Sequence, residues 1–302
     1  MEDRLSTDHS KEGYSIFTGT IADMSWPAVE AAAQNGTAML VPVAVIEQHG
    51  PHLPLATDIY GAHFLCTHIR EELAKVGVEA VVAPPYYYGL NPTTGMFPGT
   101  VTVAPDTMVR ILTEILLRYA GWGFKRQFIL SHHGAPEHNQ AVVEAIQAVR
   151  AQGVDAVMVM GGFIQHFIEP SYTSVYRHPI PLDDDALIRA PESAETKAAR
   201  KRLMRSDWGV HAEERETSLI MRWFPETLDP SVDIAQLEPV LPPIEEFNRA
   251  AANYGWRDLS PLGYIGDPSV ATRENGELYA LEATDMARAI ADFMASRPGR
   301  SV

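Results

Sequence analysis

Only one of the 302 residues, Cys66, is a cysteine, so no intrachain disulfide can form and nothing points to an oxidising compartment. Basic residues are scarce too: 24 Lys and Arg stand against 39 Asp and Glu, a formal charge of −15. A surface of that sign does not displace counterions from a phosphate backbone and is repelled by anionic membranes, which argues against nucleic-acid and membrane partners. No apolar run approaches a membrane span; the longest, near Ala38–Ile46, reads as a buried strand. The opening MEDRLSTDHSKEGYS lacks the apolar core of a signal peptide, so the expected location is cytoplasmic. The G-x-S-x-G, G-x-G-x-x-G and Walker motifs are missing, which weakens serine-hydrolase and nucleotide-binding readings. With neither an internal repeat nor a low-complexity tract, the expectation is a single α/β domain over 1–302.

What is present alternates between two periods. Helical patterns are expected from Ser25 to Gly36, over Ile59–Val76, over Pro105–Ala120 and over Pro136–Gln152. Between them, Thr37–Val45, Ala80–Ala83, Arg126–Ser131 and Val154–Met160 read as short buried strands. That β-α-β-α order predicts a mainly parallel sheet flanked by helices, a three-layer sandwich. The second half is less regular. Gly161–Arg189 has no clear period, Glu192–Met204 is helical in composition, and His211–Phe224 is an amphipathic helix with its polar end first. Pro225–Pro261 is a proline-rich excursion or oligomer contact, and Glu277–Ser296 is a closing helix.

In open parallel sheets, sites form in loops beyond the carboxyl ends of strands. Two such loops here are rich in ligand side chains, Ile46–Asp58 and His132–Asn139. In the first, Glu47 and His49 are spaced to face one side of an extended chain, and Gly50, Pro51 and Pro54 turn the backbone so that Asp58 can return to them. Carboxylate and imidazole without thiolate suits catalytic Zn²⁺, Mn²⁺ or Fe²⁺ rather than a structural zinc cage. One aspartate can bridge two ions about 3.5–4 Å apart. The plainer alternative is a polar loop in which His49 is satisfied by a backbone carbonyl.

The run Val41-Pro42-Val43-Ala44, then Glu47-Gln48-His49-Gly50-Pro51-His52-Leu53-Pro54 and Thr57-Asp58, resembles the signature of the creatininase (creatinine amidohydrolase) family. Ser131-His132-His133-Gly134 resembles the family's Asn-Gly-His-Gly, and His211-Ala212 with Glu216-Thr217-Ser218 resembles its His-Ala-Gly-x-x-Glu-Thr-Ser. The resemblance runs over about residues 15–225. It implies a creatininase-like α/β sandwich, commonly a hexamer, that hydrolyses amide or cyclic-amide C–N bonds with two divalent ions. It makes Glu47, His49, Asp58 and His133 metal ligands with Asp58 bridging, Glu216 the remaining carboxylate ligand, and His211 the proton shuttle to the leaving nitrogen. This chain departs from the pattern in three places. Ala135-Pro136-Glu137 stands where many members have Gly-Gly-Asn, Ala135 stands where creatininase has a glutamate ligand, and Glu213 replaces a glycine.

An unbroken helix would set His211 and Glu216 about 140° apart. The helix is therefore expected to start after His211, leaving that residue in a loop and Glu216 in the first turns. Glu137 is the competing carboxylate. His52 is either an outer hydrogen-bond partner or a structural histidine, while His132 should point away from the site and Cys66 should be core. The aromatic and glycine-rich stretch Tyr86–Gly99 and Trp208 are candidate pocket walls. Three functions remain open: a metal-dependent hydrolase of a small amide, lactam or cyclic amide; a peptidase or deformylase on the same scaffold; or a non-catalytic ligand-binding protein.

Overall fold

The computed structural model describes residues 14–161, 186–206, 208–253 and 255–297. The polar N-terminal stretch and most of the aperiodic segment after Gly161 lie outside the described residues. Strands β1 (Ala38–Val43), β2 (Ala80–Val82), β3 (Arg126–Ser131), β4 (Asp155–Met160) and β5 (Leu187–Arg189) pair in parallel in the order β2-β1-β3-β4-β5.

The central strands read as continuous apolar runs because both their faces are covered. Met39, Val41, Val43, Ile129 and Met158 pack on one face against Leu112, Leu116, Val142 and Ile146. Those four residues belong to α3 (Pro105–Trp122) and α4 (Pro136–Arg150), beside which α1 (Trp26–Gln34) also lies. The intervening residues Ala38, Leu40, Phe128, Leu130, Val157 and Val159 face Leu65, Ile69, Ile220 and Ile290. These come from α2 (Thr57–Lys75), α6 (Glu214–Trp223) and α9 (Glu277–Ser296). The period of two thus builds a three-layer α/β sandwich. The helix α5 (Ala194–Leu203) lies on the charged stretch, and the proline-rich segment contains α7 (Ile244–Ala252) and α8 (Trp256–Leu259). Among the described residues no helix is long and apolar enough to cross a membrane.

Two features of this frame place chemistry. The strand order reverses between β1 and β3, the switch point where an open sheet leaves a crevice at its carboxyl edge. There Val43 pairs with Ser131, so the loops carrying Glu47 and His133 leave the sheet side by side. Second, α6 is tied to α9 through a buried ion pair. Arg215 donates to both carboxylate oxygens of Glu282, at 3.0 and 2.8 Å, and Arg200 donates to the same group at 2.6 Å. Removing one side of such a pair strands the other charge in low dielectric. Glu282→Ala is therefore expected to lower stability by about 3–5 kcal/mol. Urea denaturation showing almost no change would refute the anchoring role.

Candidate metal centre

The first loop closes on itself: the Glu47 amide donates to the Leu55 carbonyl at 3.0 Å. The chain then enters α2 earlier than its pattern suggests. Asp58 consequently sits in the first helical turn rather than in the loop, at the end of a helix where a carboxylate is favoured. Side chains alternate as extended chain requires. Glu47 and His49 turn into the site, while Gln48 turns away, its amide nitrogen donating to the Gly263 carbonyl at 2.8 Å.

His49 is partly what the plainer reading proposed. Its Nδ1 lies 3.0 Å from the Glu47 carbonyl, an acceptor, so the proton is on Nδ1. That leaves Nε2 facing Asp58 Oδ1 at 3.5 Å and Glu216 Oε2 at 3.7 Å, with no hydrogen bond of its own. A ligating histidine is oriented in this way by its other nitrogen. From the second loop, His133 Nδ1 lies 2.9 Å from Asp58 Oδ2 and 3.1 Å from Glu47 Oε2. His132 turns to the opposite face from His133, as strand alternation predicts: its amide continues the ladder to the Val43 carbonyl at 3.2 Å, and its ring lies 5.6 Å from that of Tyr279 on α9. From that side its Nδ1 still comes within 3.5 Å of Asp58 Oδ1.

The third segment behaves as the spacing demands. Its helix begins at Glu214, leaving His211 in the preceding loop and Glu216 in the first turn. Glu213 accepts from the Arg215 and Glu216 amides at 2.7 and 3.4 Å, capping the helix where the family has glycine. The space for it comes from Gly266, at φ +132°, where a Cβ would lie 2.4 Å from Glu213 Cβ. Ala212, at φ 49°, donates its amide to Glu216 Oε2 at 2.5 Å and so aims that carboxylate. Glu137 is exposed and belongs to no metal-capable group among the described residues.

The convergence produces three metal-capable triads, Glu47-Asp58-His133, His49-Asp58-Glu216 and Glu47-His49-His211, the first two sharing Asp58. Glu47, Asp58, His133, His211 and Glu216 line a cleft together with Asn91, Thr93, Thr94, Gly134, Ala135, Val210, Phe247 and Trp256, and His49 is fully buried. Glu47, Asp58 and Glu216 are all buried, and among the described residues no Lys or Arg lines the cleft. Buried carboxylates need compensating charge, and this oxygen–nitrogen donor set suits a divalent cation. Cys66 adds nothing to it: the thiol is packed in the core and pushed up by burial.

The Tyr86–Gly99 stretch does supply cleft wall, through Asn91, Thr93 and Thr94, and Thr94 donates to Glu47 Oε1 at 2.5 Å. Sequence reading missed Phe247 and Trp256, which form the apolar wall that was sought in Trp208. Trp208 lies against Phe247, its ring 5.6 Å away at 86°. The two aromatics were hidden in the proline-rich segment. His52 hydrogen-bonds through Nε2 with Thr217 Oγ1 at 2.9 Å, bracing the first loop on α6.

The charges set each other. Burial raises Glu47, but His211 and His133 draw it to about 2. Asp58 goes the same way, burial opposing and His49, His132 and His133 prevailing. Burial lowers His49 and His133, yet Asp58 foremost for the one and Glu47 for the other lift them to about 9 and about 10. Burial holds Glu216 up at about 8. For His211 burial dominates and lowers it to about 4, away from the near-neutral value a proton shuttle suggests. In the metal-free chain the raised imidazoles stabilise fully below their ordinary value of about 6.5, and that stability is lost as pH climbs through 9 and 10. A metal must expel those protons. Affinity measured by chelator competition should therefore rise between about pH 6 and pH 9, with protons released on binding. An affinity independent of pH would contradict this arrangement.

Comparison with known proteins agrees with the fold and the motifs. The family model for creatinine amidohydrolase (Creatininase) matches residues 22–291. The mycofactocin precursor peptide peptidase of Mycolicibacterium smegmatis is 28% identical over 243 residues, 79% of this chain and 78% of its own length. The creatinine amidohydrolase of Pseudomonas putida is 24% identical over 275 residues, 87% of this chain and 91% of its own. A solved manganese creatininase superposes with a TM-score of 0.63 at 21% identity, covering 93% of this chain and 99% of that one. Matched by the family model over most of its length, the chain belongs to the creatininase family.

Proposed function

We propose that the protein is a metal-dependent amidohydrolase that cleaves the C–N bond of a small amide, lactam or cyclic amide, with water as the nucleophile. The observation that carries this is the convergence of Glu47, Asp58, Glu216, His49, His133 and His211 on one cleft that no described Lys or Arg neutralises. Glu47, Asp58 and His133 would hold one divalent ion, and His49, Asp58 and Glu216 a second, with Asp58 shared. Zinc, manganese and iron all suit these donors. Bound ions supply Lewis acidity and make water nucleophilic near neutral pH.

The protein's own residues supply the rest. Thr94 holds Glu47 in place, and Phe247 and Trp256 exclude water from one side of the substrate. An amine leaves poorly until its nitrogen is protonated, and His211 is placed for that work. Its Nε2 lies 2.6 Å from the Gln48 carbonyl and 3.1 Å from the Gln48 side-chain amide nitrogen; the carbonyl is the nearer and can only accept, so Nε2 carries the proton and Nδ1 the lone pair. His211 therefore takes a proton at Nδ1 and returns it to the departing nitrogen. The ring is neutral beforehand, as its depressed pKa of about 4 requires.

A peptidase is the second reading, because the M. smegmatis relative carries that name. One continuous domain is supported by the contribution of both halves of the chain to one cleft. A homo-oligomer, with a hexamer the family-based expectation, is supported by the exposed Leu241, Ile244 and Leu262 in and beside the proline-rich segment.

The protein reloaded with Mn²⁺, Zn²⁺ or Fe²⁺ should carry about two ions per chain. Asp58→Ala should lose both. Glu216→Ala should lose metal while Glu137→Ala keeps it. His211→Ala should retain its ions yet lose roughly 10²–10⁴-fold in turnover of an amide and lactam panel. Elemental analysis finding no metal, or full activity in His211→Ala, would overturn these assignments. Turnover of peptides alone would favour the second reading.

A further inference from the structure

Apart from the nominated ligands, one fully buried side-chain polar atom of the cleft wall has no hydrogen-bond partner among the described residues: the side-chain oxygen of Asn91. Asn91 is 1% exposed. Its backbone amide donates to Thr102 Oγ1 at 3.0 Å, and its Nδ2 faces the Ile46 carbonyl at 3.5 Å. That carbonyl already accepts the Val101 amide at 3.0 Å and has no proton to give. A flipped amide would set two oxygens against each other, so the NH₂ faces Ile46 and Oδ1 is left without a partner. Ile46 directly precedes Glu47, so the amide is held in register with the site.

Other polar groups nearby are committed. The Thr94 hydroxyl donates to Glu47, His211 Nε2–H donates to the Gln48 carbonyl, and Trp256 Nε1–H donates to the Gly263 carbonyl at 3.1 Å. The Phe247 and Trp256 rings, 5.6 Å apart at 74°, offer apolar surface. Among the fully buried side chains of the cleft wall, Asn91 is thus the one left to select by hydrogen bonding, and its oxygen can only accept.

We propose that Asn91 is a specificity-determining residue whose Oδ1 accepts an N–H of the substrate. The site then takes primary and secondary amides and ring N–H compounds and rejects counterparts whose nitrogens carry no hydrogen. The inference rests on the amidohydrolase reading for its substrate class. Its physical basis is the asymmetry of buried hydrogen bonding. A donor that pairs with Oδ1 gains a bond, whereas an N-methyl group leaves a desolvated carbonyl unpaired.

The test uses the full-length, metal-loaded protein with hydantoin and 1,3-dimethylhydantoin as probes, binding being read by calorimetry and turnover separately. Wild type should bind hydantoin about 10–100-fold more tightly than its dimethyl analogue. Asn91→Leu, similar in size without the acceptor, and Asn91→Ala, smaller, should both keep their metal content and reduce that ratio to about 3-fold or less. Hydantoin bound but not hydrolysed, with the ratio present in wild type and lost in the variants, would support this inference while counting against the hydrolase reading. Equal binding of the two probes to wild type, no binding of either, or an undiminished ratio in both variants would overturn it. Loss of metal from both variants would also overturn it, by making Asn91 a structural support of the centre.

Discussion

The carboxylate of Asp58 is where the molecule's constraints meet. Its two oxygens face His49, His132 and His133, and it is common to two of the three metal-capable triads. A buried carboxylate in this position is tolerable only among cations, whether imidazolium or metal. The rest of the architecture can be read as the means of assembling those cations around it. Pairing of β1 with β3 brings His133 beside the first loop, and the start of α2 carries Asp58 back under that loop. The cap on α6 then aims Glu216 from the opposite layer.

Much of the fold was legible because the central strands are buried on both faces. Arg126–Ser131 and Glu277–Ser296 have the bounds their patterns give, and other elements differ by a few residues at their ends. The nominated site residues were legible for a different reason. Ligand chemistry restricts side-chain types, and a strand followed by a turn restricts where they point. What escaped was set by tertiary contact alone. Phe247 and Trp256 sit in a stretch dominated by prolines, and only the packing of α7 and α8 onto the cleft reveals them.

One departure from the family pattern bears on how this centre is held. The carboxylate near His49 is Glu216 on α6, a position at which this chain keeps the family pattern. This makes a demand on helix placement, because a side chain on a helix is only as well located as the helix itself. Glu213 meets part of that demand by capping the first turn, and the Arg215–Glu282 pair meets another part by holding the same helix to α9. The ion pair and the ligand are neighbours in sequence and point into different environments. Stability and chemistry are therefore coupled through one turn of helix.

Gln48 shows how closely the two halves of the chain are joined at this site. Its neighbours on the chain direct the imidazoles: the Glu47 carbonyl takes the Nδ1–H of His49, and the carbonyl of Gln48 itself takes the Nε2–H of His211. The two histidines are thereby held in opposite tautomers, one presenting Nε2 and the other Nδ1, with ring centroids 4.4 Å apart. The Gln48 side chain meanwhile crosses to the Gly263 carbonyl, and a Cβ at Gly263 would lie 2.0 Å from Gln48 Oε1. That contact admits only glycine and draws the segment after α8 against the first loop. Two adjacent backbone carbonyls, of Glu47 and Gln48, thus set which nitrogen each histidine leaves free before any ion arrives.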